Sequence, residues 1–115
     1  MVVDDDADFC FLMKEMLRWR GFETRVVHSA ADAWSALDRM RPHVMLIDIM
    51  MPEVDGLELV RRLRSDKKFA ETRIIVITAR AIKDMQEASQ GAGADSFLTK
   101  PVSLFELTRT IDGML

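Results

Sequence analysis

Apolar runs and amphipathic segments alternate along the whole chain. Short runs rich in β-branched residues predict five strands, at residues 1–3, 22–27, 44–49, 73–78 and 94–99. The segments between and after these strands repeat apolar residues at helical spacing and predict five helices. Strands that alternate with helices indicate a parallel sheet that is covered on both faces. The pattern therefore predicts a single α/β domain.

Capping residues set the expected helix boundaries. Polar residues that serve as N-caps stand directly before three helical segments, at Asp6, Ser29 and Ser103. Glycine or an approaching proline marks the end of the first, second and fourth helices, at Gly21, before Pro42 and at Gly91–Gly93. The third and fourth helices are expected at about residues 57–64 and 82–90. In the first helix one face carries the apolar residues Phe9, Met13, Met16 and Leu17.

Composition narrows the class of protein. The 115 residues are 49% hydrophobic and 30% charged, as in ordinary globular domains, and fit one domain over residues 1–115. The net charge of −3 gives no overall electrostatic reason to bind nucleic acid. No apolar run approaches the ~20 residues that span a bilayer, and no signal peptide is evident, so we expect a cytoplasmic protein without membrane partners. Cys10 is the single cysteine, which excludes an intrachain disulfide.

The first strand is short, because only three residues precede Asp4. A typical strand has ~5 to 6 residues. Trimming at the N-terminus, or excision from a longer protein, therefore stays open.

Polar side chains follow the predicted strands where each strand ends. They are Asp4, Asp5 and Asp6 after the first strand, Asp48 in the third, Thr78 in the fourth and Lys100 after the fifth. The carboxyl ends of parallel strands meet at one edge of a sheet, where ligands bind. Crowded carboxylates suit a hard cation such as Mg²⁺, and a lysine with a hydroxyl group suits an anion. The sequence therefore predicts a phosphoryl-transfer site.

Four stretches carry a family resemblance in the right order: VVDDD, LIDIMMPEVDG, IIVITA and GADSFLTKP. They resemble the receiver domain of bacterial two-component response regulators, and the match runs essentially from Met1 to Leu115. The resemblance implies a doubly wound, flavodoxin-like fold of three αβα layers. Its five-stranded parallel sheet would have the order 2-1-3-4-5.

The resemblance also implies roles for individual residues. Asp48 would be the phosphoacceptor, with Mg²⁺ as cofactor. The metal would be held directly by Asp5, Asp48 and the backbone carbonyl of Met50, and mainly through water by Asp4. Thr78 would hydrogen-bond the phosphoryl group and Lys100 would form an ion pair with it.

Other positions that match the family would act in switching. Phe97 occupies the position where the family has an aromatic residue whose rotamer changes on phosphorylation. Thr78 and Phe97 would together form the switch. Met50 and Arg80 would tune the lifetime of the phosphorylated state, and the Lys100–Pro101 peptide bond would be cis.

The implied partners follow from this chemistry. The donor would be a histidine kinase or a histidine phosphotransfer protein. The surface of helix four, strand five and helix five would signal to an output domain or a downstream protein, and a homodimer stays open. The domain would assist its own phosphorylation and dephosphorylation without being a turnover enzyme.

Three competing functions stay open at this stage. The charged residues could form only a structural ion-pair cluster, or a degenerate receiver that binds partners without being phosphorylated. A phosphatase or phosphotransferase that uses an aspartyl phosphate is disfavoured, because such enzymes commonly place a second acid two residues after the nucleophile, where Met50 stands.

Several other residues favour structural interpretations. Asp6 is expected to cap a helix rather than bind metal, and Phe97 fits the core as well as a switch. The basic run at residues 61–68 is expected to complement a helix dipole. A metal role is not expected for His28 or His43. The methionines and both tryptophans, Trp19 and Trp34, are expected in core or helix-packing positions, with an exposed Met-rich output face left open.

Overall fold

A parallel five-stranded sheet forms the centre of the protein in a computed structural model, which describes residues 1–50, 56–79 and 83–115. The strand order is β2-β1-β3-β4-β5, as the resemblance implies. The strands are β1 (Val2–Val3), β2 (Val26–Val27), β3 (Val44–Asp48), β4 (Arg73–Thr78) and β5 (Ser96–Thr99). The described helices are α1 (Ala7–Trp19), α2 (Ala30–Leu37), α3 (Gly56–Arg64), α4 (Lys83–Ala92) and α5 (Leu104–Asp112), with a 3-10 helix over Lys67–Phe69. The predicted α/β fold is confirmed.

Alternation along the strands divides the core between the two faces of the sheet. In β4, Ile74 and Val76 pack with the apolar residues of α2 and α3, whereas Ile75 and Ile77 pack with those of α1 and α5. Each of these four side chains is almost completely buried. Since both faces are covered, these strands carry continuous apolar runs, as expected for a parallel sheet.

The predicted N-caps are confirmed in all three helices. Asp6 accepts hydrogen bonds from the backbone amides of Asp8 and Phe9, and Ser29 and Ser103 each accept one from the amide three residues on. Gly93, at a φ of 110°, follows the last residue of α4. The helix therefore ends within the predicted glycine pair, where a left-handed backbone is accessible without strain.

Several boundaries differ from the prediction. Strand β2 begins at Val26 rather than residue 22, because its ladder partner β1 offers only two residues. Helix α2 ends at Leu37, before Pro42 as predicted, whereas α3 begins one residue earlier than expected, at Gly56. Strand β3 ends one residue early, at Asp48, and β5 begins two residues late, at Ser96. Helix α4 continues two residues beyond its expected end, to Ala92. The expected start of the fourth helix at residue 82 lies outside the described residues.

The two tryptophans have different surroundings. Trp34 packs against the core and meets the Phe69 ring edge to face at 6.3 Å, as predicted. Trp19 is 85% exposed, so its predicted packing role is wrong. It follows Leu17 by two positions, which turns it away from the apolar face of α1. None of the described helices has the length and apolar character needed to cross a bilayer.

Candidate functional site

The Asp4 carboxylate lies at the carboxyl end of β1 and is 1% exposed. Its Oδ1 accepts a hydrogen bond of 2.9 Å from the backbone amide of Asp6. Its Oδ2 accepts no well-aligned hydrogen bond from the described residues, although this oxygen is in ion-pair contact with Lys100. One oxygen of a buried carboxylate is thus available to a further cation.

Asp48 ends β3 and repeats the geometry of Asp4. Its Oδ1 accepts a hydrogen bond of 2.8 Å from the backbone amide of Met50, two residues on. This local turn, in which an aspartate caps its own backbone, fixes the carboxylate plane. The Asp48 Oδ2 then faces Lys100, as the Asp4 Oδ2 does.

The Lys100 ammonium group joins the two carboxylates. Its Nζ lies 2.8 Å from Asp4 Oδ2 and 3.5 Å from Asp48 Oδ2. Lys100 follows β5 directly, and its backbone amide donates a 2.8 Å hydrogen bond to the carbonyl oxygen of Thr78. The Lys100–Pro101 peptide bond is cis.

Burial and charge shift the pKa values of this pair. Burial raises the pKa of the Asp4 carboxyl group above its ordinary value, although the contacts with Lys100 and the Asp6 amide act against the shift. Burial alone would lower the pKa of Lys100, but its contacts with Asp4 and Asp48 outweigh it, so the pKa is raised. Lys100 therefore keeps its positive charge at neutral pH.

Three carboxylates converge closely enough to hold one metal ion. One oxygen from each of Asp4, Asp5 and Asp48 lies within 4.8 Å of the others, and Asp5 is exposed to solvent. An all-oxygen donor set that is open to water on one side suits a hard divalent cation. The predicted capping role of Asp6 is confirmed, because its side chain accepts hydrogen bonds from the first turn of α1.

The remaining predicted residues are placed as follows. Thr78 is fully buried at the carboxyl end of β4, beside the strand that carries Asp48. Phe97 lies in β5, half-buried against the core on the α2–α3 face. Met50 lies two residues after the end of β3 and is 45% exposed. Arg80 lies outside the described residues.

Three further residues, which no sequence motif identifies as part of the site, contact Asp4 or Lys100. The Cys10 thiol lies 3.2 Å from the Asp4 carbonyl oxygen, and His28 Nδ1 lies 3.0 Å from the same atom. The face of the Phe9 ring lies 4.2 Å from Lys100 Nζ, measured to the ring centroid. Helical spacing identified Phe9 only as a core residue, because no local pattern reports a contact with the other end of the chain.

Burial also shifts the pKa of the Cys10 thiol, since this residue is 2% exposed. The pKa of this thiol is raised to about 11, with the neighbouring charge of Asp4 adding to the effect of burial. The thiol is therefore protonated at neutral pH and can donate to the Asp4 carbonyl oxygen.

Sequence comparison identifies a family for almost the whole chain. Residues 1–112 match the response regulator receiver domain. The transcriptional regulatory protein TrcR of Mycobacterium tuberculosis is 36% identical over all 115 residues, which make up 44% of that relative. An uncharacterised 14.6 kDa protein of Leptolyngbya boryana is 38% identical over 96% of this chain and 85% of its own length. The chain spans about half the length of several curated relatives, such as MprA of Mycobacterium avium.

Structural comparison agrees with the sequence match. Chemotaxis protein CheY4 of Vibrio cholerae superposes with a TM-score of 0.93 over 99% of this chain and 95% of that structure, at 24% identity. A response regulator from Chloroflexus aurantiacus superposes equally well, at 27% identity over 98% of this chain and 93% of that one. Together with the acidic cluster and its lysine, these matches show that the chain belongs to the response regulator receiver domain family.

Proposed function

We propose that Asp48 accepts a phosphoryl group in two-component signalling. One observation carries the proposal: Asp4, Asp5 and Asp48 converge within 4.8 Å while Lys100 contacts two of them. A nucleophilic carboxylate beside a fixed ammonium group and a cation site has what phosphoryl transfer requires, which is position and charge neutralisation.

In the proposed reaction, an oxygen of Asp48 attacks the phosphorus atom of a phosphohistidine. An O–P bond forms as the P–N bond to the imidazole breaks, and the product is an acyl phosphate on Asp48. The Met50 amide holds one carboxylate oxygen in place, so the orientation of the group is fixed before the donor binds. Mg²⁺, held by the three aspartates and the Met50 carbonyl group, would neutralise charge on the phosphoryl oxygens.

Lys100 and Thr78 would receive the transferred group. The ammonium of Lys100 already faces Asp48, and the Thr78 hydroxyl would donate a hydrogen bond from the adjacent strand. Added charge at Asp48 would draw Thr78 inward and let Phe97 change rotamer. The α4–β5–α5 surface would then signal to an output domain, a downstream protein or a second copy of the chain.

The proposed domain acts once per phosphorylation rather than as a turnover enzyme. Its acyl phosphate would be lost to water at a rate that Met50 and Arg80 tune. A histidine kinase or a histidine phosphotransfer protein would be the donor, and the setting would be the cytoplasm. Residues 1–115 would form either a stand-alone receiver or the receiver part of a longer regulator, since they match 85% of the length of the Leptolyngbya boryana protein but 44% of that of TrcR.

The test measures the intact mass of the protein after incubation with acetyl phosphate and Mg²⁺. We expect one added phosphoryl group, which is absent when Mg²⁺ is chelated and in Asp48→Asn. The matched control is Asp38→Asn, which makes the same chemical change at an exposed position after α2 and should leave labelling intact.

Two results would contradict the proposal. One is labelling of Asp48→Asn at the same single site. The other is the absence of any adduct with acetyl phosphate and with phosphoramidate, in protein that is folded and binds Mg²⁺. That second outcome would favour a degenerate receiver that acts by binding alone.

A further inference from the structure

The Lys100 ammonium group has an aromatic neighbour besides its two carboxylates. The centroid of the Phe9 ring lies 4.2 Å from Lys100 Nζ, with the cation over the ring. Phe9 belongs to α1, whereas Lys100 follows β5. The side chain of Lys100 is 20% exposed, so part of its hydration is replaced by these contacts.

An aromatic face offers this ammonium group an interaction that an aliphatic side chain lacks. The electron-rich face of a benzene ring attracts a cation within about 6 Å, and the attraction grows when water is excluded. Lysine otherwise carries its charge on a flexible four-carbon stem, which samples many positions. Contact with the ring therefore restricts where the charge resides.

The position of the ring is itself well determined. The Phe9 amide donates a 3.2 Å hydrogen bond to Asp6 Oδ1, so the residue belongs to the capped first turn of α1. Its side chain is 9% exposed and packs in the core cluster that contains Val2 and Val102. Since Val2 is in β1 and Val102 follows Lys100, the ring is held by the segments that carry both members of the ion pair.

We propose that Phe9 is a positioning residue for phosphoryl transfer, which acts by holding the Lys100 ammonium group between Asp4 and Asp48. The inference rests on the proposed function of Asp48. It requires no contact between Phe9 and the phosphoryl group, and it assigns Phe9 no covalent step.

The first experiment compares Phe9→Leu with Phe9→Tyr at saturating Mg²⁺. The rate constant for labelling by phosphoramidate is followed by intact mass. We expect Phe9→Leu to slow labelling about threefold to thirtyfold, as the strength of cation–π contacts implies, and Phe9→Tyr to retain most of the rate. The dissociation constant for Mg²⁺, measured by calorimetry, should stay nearly the same in both variants because the three carboxylates of the cluster, Asp4, Asp5 and Asp48, are left unchanged.

A second variant separates the charge interaction from packing. Site-specific 3,4,5-trifluorophenylalanine at position 9 keeps nearly the same shape but weakens the negative face of the ring. Its labelling rate should fall between those of the wild type and Phe9→Leu. An unchanged rate in this variant would overturn the proposal, even if Phe9→Leu folds poorly.

A double-mutant cycle tests whether Phe9 acts through Lys100. In a Lys100→Met background, at a temperature where circular dichroism shows the native fold, Phe9→Leu should change the residual rate less than twofold. An equal loss in both backgrounds would show a purely structural role. Failure of the proposed function is distinguishable, because wild-type protein would then take up no phosphoryl group.

Discussion

Lys100 contacts Asp4 more closely than it contacts Asp48: its Nζ lies 2.8 Å from the first carboxylate and 3.5 Å from the second. The primary ion pair of the site thus involves a residue other than the proposed phosphoacceptor. Asp48 keeps one oxygen in a looser contact, which leaves it more accessible to an incoming phosphorus atom.

Replacing Lys100 with methionine should destabilise the protein at neutral pH. The buried Asp4 carboxylate would lose its counter-charge, and we expect the free energy of unfolding to fall by about 3 kcal/mol. Urea denaturation without Mg²⁺ measures this change. The double variant Asp4→Asn/Lys100→Met should recover part of the loss, and no recovery would show that the lysine stabilises by packing alone.

We expect Asp5 to contribute to metal binding but little to the stability of the metal-free protein, because it is the exposed member of the cluster. Mg²⁺ at 100 times its dissociation constant should stabilise the wild type by about 2.7 kcal/mol, seen as a higher Tm. In Asp5→Asn most of this Mg²⁺-dependent shift should vanish, while the Tm without metal stays nearly constant. Asp8→Asn, which removes a nearby exposed charge outside the cluster, should keep the full shift.

The Cys10 thiol should titrate far above its ordinary range. The chain has one cysteine and no tyrosine, so thiolate absorbance at 240 nm reports this group without phenolate overlap. We expect half-ionisation near pH 11 in folded protein and near pH 9 in urea. A folded-state midpoint near pH 9 would contradict the burial of this thiol.

The raised pKa of the Cys10 thiol also predicts that the free energy of unfolding falls as the pH rises above about 9. The folded state holds the proton more tightly than the unfolded state, so this contribution is complete below about pH 9 and is lost as the pH rises towards about 11. A shift of this size corresponds to roughly 3 kcal/mol. Cys10→Ala should show a shallower decline in urea-determined stability over this interval.

Gly56 should be intolerant of any side chain. A Cβ atom at this position would lie 2.4 Å from the carbonyl oxygen of Asp48 and 2.6 Å from Ile49 Cα. Gly56→Ala should therefore push α3 away from the end of β3, lowering the free energy of unfolding by about 1 to 3 kcal/mol and slowing phosphorylation. At Gly91 in α4, an added Cβ atom would meet no other part of the described structure within 4 Å. Gly91→Ala should therefore stabilise the protein by up to about 1 kcal/mol. Equal effects of the two changes would contradict the described packing.

Arg64 should resist replacement by lysine. Its guanidinium group donates to the carbonyl oxygens of Gly93 and Phe69 and to the carboxylate of Asp95, at 2.7, 3.1 and 2.6 Å. A lysine cannot reproduce this fork, so Arg64→Lys should cost about 2 kcal/mol in thermal or urea unfolding. Arg61→Lys, on an exposed part of the same helix, should change stability by less than 0.5 kcal/mol.

Local sequence patterns predict those features of the fold that depend on neighbouring residues, such as helix caps and apolar strands. Strand order aside, the alternation of apolar runs and the caps at Asp6, Ser29 and Ser103 suffice for the elements and for the edge where the charged residues meet. The length of β2 was wrong because pairing with a two-residue β1 limits it, and that partner is chosen by the whole fold. The packing predicted for Trp19 is wrong because its position along α1 turns the side chain towards solvent, which the residue type alone does not indicate.

Three side-chain contacts around Asp4 and Lys100 cannot be predicted from local sequence patterns. Cys10 in α1 and His28 directly after β2 meet at the Asp4 carbonyl oxygen, and Phe9 contacts Lys100, which is distant in the sequence. A resemblance supplies the positions that a family shares, whereas these three side chains depend on how this particular core packs. Tertiary packing brings them together.

The pairing of Asp4 with Lys100 joins the first strand to the segment after the last one. Closing so long a loop costs conformational entropy, which the contacts of the completed sheet offset. A chain that lacks its final strand, or has not yet docked it, therefore has Asp4 and Asp48 without the neighbouring ammonium group, so the site is complete only when the whole sheet has formed.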